Sequence, residues 1–481
     1  MRPIIEQVSW QSGPQGLASR FHSEAGGFLL QSARLQPQRA RYSFVGARPF
    51  LTFRSWGARC EIITAAGAQV QYGDPWKLQA SLLARCELLD EIDFPFPLGG
   101  CFGYWGYDLK NFVEPRLNRR ATGDLELPDC VIGFYDSLVV FDHELRQAWI
   151  VSTGLSPDGS REESRAIQAT EFWRKAINSL PAHETDGLTP ATPLPTPSQE
   201  LWRSSLPREA FLDAVRKAQA YIRSGDIYQV NLAQRLTVDA GVPPWTLYQR
   251  LAALSPAPFA SYYHAGDFAL ASSSPELFLR LSADQIVTRP IKGTRPRSHD
   301  PIRDAQLSYE LQTSPKEMAE LVMITDLLRN DLGRVCEYGS IQVPELVQLE
   351  RYSHVQHLVS TVEGRLRPGT THLDAFARCF PGGSITGAPK IRAMEIIEEL
   401  EPVTRGPYTG SFGYLGFNRE SQLSILIRTA ICQPEATHFY VGAGIVADSV
   451  AEAEYQETLA KAAGFLDCFP ARNDRSVRST T

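Results

Sequence analysis

Ile227-Tyr228-Gln229-Val230-Asn231-Leu232-Ala233-Gln234-Arg235 is the stretch on which the fold turns. Its alternation predicts a β-strand with Tyr228, Val230 and Leu232 on one face and Gln229, Asn231 and Ala233 on the other. Directly before it, residues 208–224 place Phe211, Ala214, Val215, Ala218 and Ile222 at helical spacing and stop at Gly225-Asp226. Helix and strand signals are interspersed on both sides, which predicts a mixed α and β chain.

Toward the N-terminus, residues 27–153 are short β-rich runs, among them Phe28-Leu29-Leu30, Tyr42-Ser43-Phe44-Val45 and Leu138-Val139-Val140-Phe141, with one helix over residues 76–89. Gly99-Gly100-Cys101-Phe102-Gly103-Tyr104-Trp105-Gly106 mixes glycine with aromatics, as in a strand that another backbone approaches closely. Residues 181–200 carry Pro181, Pro190, Pro193, Pro195 and Pro197 and read as an extended linker. That linker need not separate independent domains, because strands on either side of it can share one sheet.

Toward the C-terminus, residues 268–281 read as a hairpin, and the strand after it leads into a basic loop, Arg289-Pro290-Ile291-Lys292-Gly293-Thr294. Ser314-Pro315-Lys316-Glu317 opens a helix expected to reach residue 329 or 330. Gly382-Gly383-Ser384-Ile385-Thr386-Gly387-Ala388-Pro389-Lys390 is a glycine-rich loop before another helix, but it lacks the spacing of a nucleotide-binding loop. Residues 410–416, 424–431 and 439–446 read as strands, the last broken by Gly442 and Gly444. A final helix covers residues 452–466, and a loose polar tail follows Pro470. The regions are therefore 1–180, the linker 181–200, 201–470 and the tail 471–481.

A net charge of -6 argues against a general nucleic-acid binder. Eight cysteines lie far apart, without zinc or redox spacing, which favours a reducing cytoplasmic setting. The first residues lack the apolar core of a signal peptide, and no run approaches the roughly 20 apolar residues of a membrane span. A cytoplasmic protein without membrane attachment is expected.

Lys292 lies between a proline-isoleucine pair and a glycine, which would hold its amine in place. On its own the hexapeptide reads first as a basic surface turn, and only the rest of the chain shifts that reading. A nucleophilic lysine needs a depressed pKa, for which Arg289, Arg295 and Arg297 would supply cationic pressure. On the last helix Glu454, Glu457 and Lys461 share one face, and a packed helix presenting two glutamates needs a cation. Oxygen ligands without His or Cys favour magnesium, with Glu320 completing the set. Glu276, in a β-rich setting, is a candidate acid of raised pKa, and His357 is a weaker candidate.

Together these stretches resemble the chorismate-utilising enzymes, and within them the branch of aminodeoxychorismate synthase component I. The resemblance rests on Ser274-Pro275-Glu276, on Pro290-Ile291-Lys292-Gly293-Thr294, and on DLLRNDLGR from Asp326, HLVST from His357, FPGGSITGAPK from Phe380 and EYQET from Glu454. It implies an α+β fold of two large, mostly antiparallel sheets flanking interior helices. It also implies Mg2+ on Glu320, Glu454 and Glu457 against the ring carboxylate of chorismate. Arg428, Thr429, Lys461, Gly442, Ala443 and Gly444 would surround the other substrate oxygens, with Thr294 nearby. Glu276 would protonate the departing 4-hydroxyl, assisted by His357.

Lys292 selects the reaction within this resemblance. Anthranilate synthases carry alanine there and aminate C2 directly, whereas a lysine forms a covalent intermediate at C2 before ammonia attacks C4. Gln229 stands where isochorismate and salicylate synthases carry a water-activating lysine, which counts against water as the nucleophile. Ammonia is expected from a separate glutamine amidotransferase subunit, and the product would feed 4-aminobenzoate and folate synthesis. An anthranilate synthase that tolerates the lysine, and a non-catalytic tryptophan- or chorismate-binding regulatory subunit, are the alternatives. Ser32, Arg41, Tyr42, Ser43 and Phe44, with Pro258 and Phe259, resemble the family's tryptophan pocket; a plain core seam is the competing reading.

Overall fold

The alternating stretch forms the strand Gln229–Val238, and its two faces separate as expected. Val230 and Leu232 bury against the helices Arg208–Arg223 and Lys390–Leu400, while Asn231 points the other way, into a cavity. Tyr228, just before the strand, is exposed. The computed structural model describes residues 2–10, 13–32, 40–91, 94–180, 202–239, 242–351 and 355–469; the expected linker and tail lie outside them.

The strands assemble into two twelve-stranded sheets with antiparallel pairings. Both sheets are built from both ends of the chain. Phe28–Gln31 pairs with Phe259–His264 in one, and Gly100–Trp105 pairs with Ser411–Gly416 in the other. Regions 1–180 and 201–470 thus share their sheets and their main core. Gly100 shows why that seam needs glycine: a Cβ there would lie 2.7 Å from the Leu415 carbonyl oxygen.

The sheets stack on each other directly. Phe28 stacks on Phe102 at 4.5 Å, and Phe44 meets Tyr414 edge-on at 5.1 Å, each pair joining one sheet to the other. Along the strand Ser137–Asp142, Leu138 and Val140 enter this shared core, while Val139 and Phe141 pack with Trp173 of the helix Glu163–Asn178. Here the helix Glu163–Asn178 lies outside the sheet pair. The aromatic faces bury one another, and an intervening helix would part the rings.

Three other expectations need correction. The helix expected over 76–89 is Pro75–Leu83, capped by the Asp74 carboxylate on the Trp76 N–H. Residues 268–281 are not a hairpin: Ala269–Ser274 belongs to one sheet and Leu277–Ser282 to the other, so the chain changes sheets at Pro275-Glu276. The strand expected over 424–431 splits likewise into Glu420–Ile425 and Thr429–Cys432, with the passage at residues 426–428. Proline offers no N–H to a ladder, and Arg428 has a φ of 50°, so neither passage can continue its strand. The two passages lie side by side, because their flanking strands pair in both sheets.

The helix Pro315–Gly333 opens as expected, with the Ser314 hydroxyl accepting from the Glu317 N–H, and runs past residue 330. The last helix is Ala451–Leu466. All eight cysteines are buried and free. Among the described residues no helix is long and apolar enough to cross a membrane.

Candidate active site

Where the chain passes from one sheet to the other, a cavity of about 470 Å³ opens. One passage brings Glu276 into it and the other brings Arg428. The hexapeptide expected as a loop is instead the end of one strand and the start of another, Ile291–Pro296, which pairs with Val355–Arg365. A bulge interrupts this pairing: Lys292 faces Leu358 and Thr294 faces His357, so Gly293 is the extra residue. Gly293 has a φ of 63°, and a Cβ on it would lie 2.7 Å from Leu311 Cδ1, which is why glycine follows the lysine.

Lys292, His357 and Thr294 all line the cavity. The Thr294 hydroxyl and His357 Nδ1 are hydrogen-bonded at 2.8 Å, which fixes the imidazole ring. Lys292 Nζ lies 3.9 Å from a carboxylate oxygen of Glu320, and both side chains are mostly buried. The arginines do not crowd the lysine as expected. Arg289 bonds Glu350 at 2.6 Å, Arg297 bonds Asp304 at 2.8 Å and Arg295 stands 3.5 Å from Glu317, so each charge is met by its own carboxylate.

Glu276 is fully enclosed. Burial pushes its carboxyl up to about 7, against the opposing effects of a hydrogen bond with Ser384 and the charge of Lys292. It therefore keeps its proton to far higher pH than an ordinary carboxyl and shares it near neutrality, which suits an acid catalyst.

Glu320 from the helix Pro315–Gly333, and Glu454 and Glu457 from the helix Ala451–Leu466, share another part of the cavity wall. Burial raises the Glu320 pKa; Lys292 and Lys316 oppose this, and Glu317 and Glu457 add to it. Glu454 accepts a 2.7 Å hydrogen bond from Ser449 and lies 4.0 Å from Lys316. Lys461 bridges Glu457 at 2.7 Å and the Gly442 carbonyl at 2.8 Å. This oxygen-only, anionic wall has the donor chemistry of a magnesium site. As the side chains stand, no three His, Cys, Asp or Glu groups among the described residues close round one point.

Arg428 lines the cavity but is exposed, and its guanidinium stands 3.5 Å from the Ser255 hydroxyl, a long contact that leaves it available to an anion. Gly442 and Gly444 line the cavity where larger residues would clash: a Cβ on Gly444 would lie 2.4 Å from Gln229 Nε2. Three residues expected around the substrate stand behind this wall. Gln229 is 2% exposed and packs beneath Gly444; Thr429 bonds Ser272 at 2.8 Å; Ala443 faces the helices outside the sheet.

Several lining residues escaped the sequence reading: Asn231, Ser384, Lys316, and Tyr408 stacked on Tyr440 at 5.0 Å. Asn231 was within reach of it, sharing a strand face with Gln229. Ser384 is an inconspicuous residue in a glycine-rich loop and carries no signal of its own.

The structure matches known proteins over nearly its whole length. A family model described as chorismate binding enzyme matches residues 33–467. The chain belongs to the chorismate-binding enzyme family. It is 41% identical over 440 residues to anthranilate synthase component 1 of Thermus thermophilus, covering 91% of each chain. It is also 40% identical over 463 residues to aminodeoxychorismate synthase component 1 of Klebsiella aerogenes, covering 96% of this chain and 98% of that one. The anthranilate synthase component I structure from Streptococcus pneumoniae TIGR4 superposes with a TM-score of 0.76 at 29% identity, covering 90% of this chain and 94% of that one. The fold also matches the menaquinone-specific isochorismate synthase MenF of Escherichia coli, with a TM-score of 0.71 at 20% identity over 97% of this chain and 94% of that one. Proteins named anthranilate synthase and isochorismate synthase thus share this architecture.

The second candidate site of this family member is small. Ser32, Tyr42, Phe44, Pro258 and Phe259 line a cavity of about 20 Å³ with Phe412 and Tyr414, which has room for a water-sized guest but not for an indole ring. Arg41 pairs instead with Asp142 at 2.5 Å, and the Ser43 hydroxyl accepts from the Ser32 N–H. Residues 33–39 beside it lie outside the described residues.

Proposed function

We propose that this chain aminates chorismate at C4, giving 4-amino-4-deoxychorismate for 4-aminobenzoate and folate synthesis. The observation that carries the reading is a lysine amine, Lys292, on the wall of the cavity that also holds the buried carboxyl of Glu276, whose pKa burial raises. In its neutral form Lys292 forms a bond to C2 of the ring. Both ring double bonds shift, C1=C2 to C1=C6 and C5=C6 to C4=C5, the C4–O bond breaks, and Glu276 delivers the proton with which the hydroxyl leaves as water. Ammonia then bonds to C4, both double bonds return to their first positions, and the C2–N bond breaks to restore the lysine. His357, held by Thr294, hydrogen-bonds to the substrate beside this centre. Arg428 and Lys461 supply positive charge for the substrate's carboxylates.

Glu320, Glu454 and Glu457 would hold Mg2+, which when bound neutralises this anionic wall toward a carboxylate substrate. Ammonia would come from a separate glutamine amidotransferase subunit, and the enzyme would work in the cytoplasm. The relative named aminodeoxychorismate synthase, at 40% identity over nearly all of both chains, supports the reading. The relative named anthranilate synthase, at 41%, keeps amination at C2 as the competing one.

Incubation with chorismate, a magnesium salt and an ammonium salt, followed by mass and fluorescence analysis, tests the choice. The expected product is 4-amino-4-deoxychorismate. Anthranilate would overturn the reading, and chorismate left unchanged would indicate a binding subunit.

A further inference from the structure

Ser384 lines the same cavity as Glu276, whose pKa its hydrogen bond lowers, and it sits on a loop that its own composition would leave slack, with glycine at 382, 383 and 387. Arg405 and the strand Gln229–Val238 hold its second half, and one side chain joins its two ends. Lys390, the first residue of the helix Lys390–Leu400, donates to the Cys379 carbonyl at 3.1 Å and the Pro381 carbonyl at 2.9 Å, so the residue after the loop grips the backbone at its beginning. Its ammonium also meets the Asp331 carboxylate at 2.5 Å, which uses all three of its donors. Both side chains are buried, and neither lines the cavity.

Asp331 belongs to the helix Pro315–Gly333, eleven residues after Glu320, or roughly 16 Å along its axis. The same helix seats the loop: a Cβ on Gly383 would lie 2.6 Å from Leu327 Cδ2. A buried ion pair is a poor source of stability, since an apolar pair of similar volume often holds a fold as well or better. Its geometry is specific, however, because it joins the helix of Glu320 to both ends of the loop of Ser384.

We infer that Lys390 and Asp331 are positioning residues, a clasp that fixes the glycine-rich loop so that the Ser384 hydroxyl meets the Glu276 carboxyl. The inference rests on Glu276 being the acid of the proposed reaction. Neither residue touches the reacting atoms; both act through Ser384.

The test uses Lys390→Met, Asp331→Asn, Ser384→Ala, Lys390→Met with Ser384→Ala, and Lys390→Met with Asp331→Leu. For each, steady-state chorismate consumption and thermal unfolding are measured. The Glu276 carboxyl is titrated by infrared difference spectroscopy against Glu276→Gln, which needs no turnover. Lys390→Met is expected to lower kcat by about tenfold or more while KM for chorismate stays within about threefold. It should raise the Glu276 titration midpoint as Ser384→Ala does, because the hydrogen bond to Ser384 lowers that pKa. Combining the two should lose no more than the larger single loss. The apolar double variant should recover Tm but not kcat. If Lys390→Met does not fold, the near-isosteric Asp331→Asn carries the same expectations.

The clasp is refuted by additive losses, by an unchanged Glu276 titration in a folded clasp variant, or by an apolar pair that restores kcat together with Tm. If the wild-type protein consumes no chorismate, the proposed function fails, and the infrared titration still decides whether the clasp sets Glu276.

Discussion

Lys292 Nζ and the Glu320 carboxylate stand 3.9 Å apart in the wall of one cavity, so the group that would attack the ring adjoins a group that would hold the metal. The adjacency is built by two elements distant in sequence, a bulged strand and a capped helix. Gly293 and Ser314 are the local residues that place them.

Neutralising Glu320 tests the metal assignment. Glu320→Gln should raise the magnesium concentration for half-maximal activity by more than about tenfold, and should reduce the stabilisation that magnesium gives to thermal unfolding with chorismate present. Unchanged magnesium dependence in both measurements would remove Glu320 from the site.

The pH dependence follows from Glu276. An acid whose pKa lies at about 7 loses its proton as pH rises through that value, so the limb of kcat above neutrality should fall with a midpoint near 7. Glu276→Gln should abolish that limb and lower kcat by about 10²- to 10⁴-fold. A pH profile unchanged in shape would assign the acid elsewhere.

Stability should follow the same group with the opposite reward for glutamine. Because the folded pKa is raised from 4.5 to about 7, the folded state binds the extra proton. The benefit is full below pH 4.5 and is lost as pH rises through 7. The rise corresponds to roughly 3 kcal/mol. Thermal scans should show Glu276→Gln gaining on the wild type as pH goes from 5 to 8; a constant difference would contradict the burial of this carboxyl.

The shared sheets make a prediction about the chain as a whole. Residues 1–180 and 201–481 expressed apart should each fail to show a cooperative unfolding transition, because the first holds five and the second seven of the twelve strands of each sheet, and each leaves a seam strand in both sheets unpaired. Co-expression should restore one transition. A cooperatively folding 201–481 fragment would show that the regions are separate units.

Much of the fold was legible because alternation and helical spacing are local. The strand around Val230, its two faces, and the capped helix at Ser314 could all be read that way. What failed was partnership. Residues 268–281 keep a strand-like pattern on both sides of Pro275, and nothing local says that Ser274 and Leu277 pair in different sheets. Glu276 was therefore placed near a hairpin and not at a passage between sheets. The arginines near Lys292 were read as pressure on its amine for the same reason, since Glu350 and Asp304 were not visible as their partners. At the site, charged residues stood out, whereas Ser384 and Asn231 gain their meaning only from what folds against them.

The most direct measurement follows the nitrogen. Wild-type protein and Lys292→Ala are each supplied with chorismate, magnesium and ¹⁵N-ammonium, and the position of the label in the product is determined by mass spectrometry and NMR. The account predicts label at C4 with the wild type and a loss of at least about 10²-fold in that product with Lys292→Ala. Label at C2 with the wild type, or undiminished C4 amination by Lys292→Ala, would contradict it.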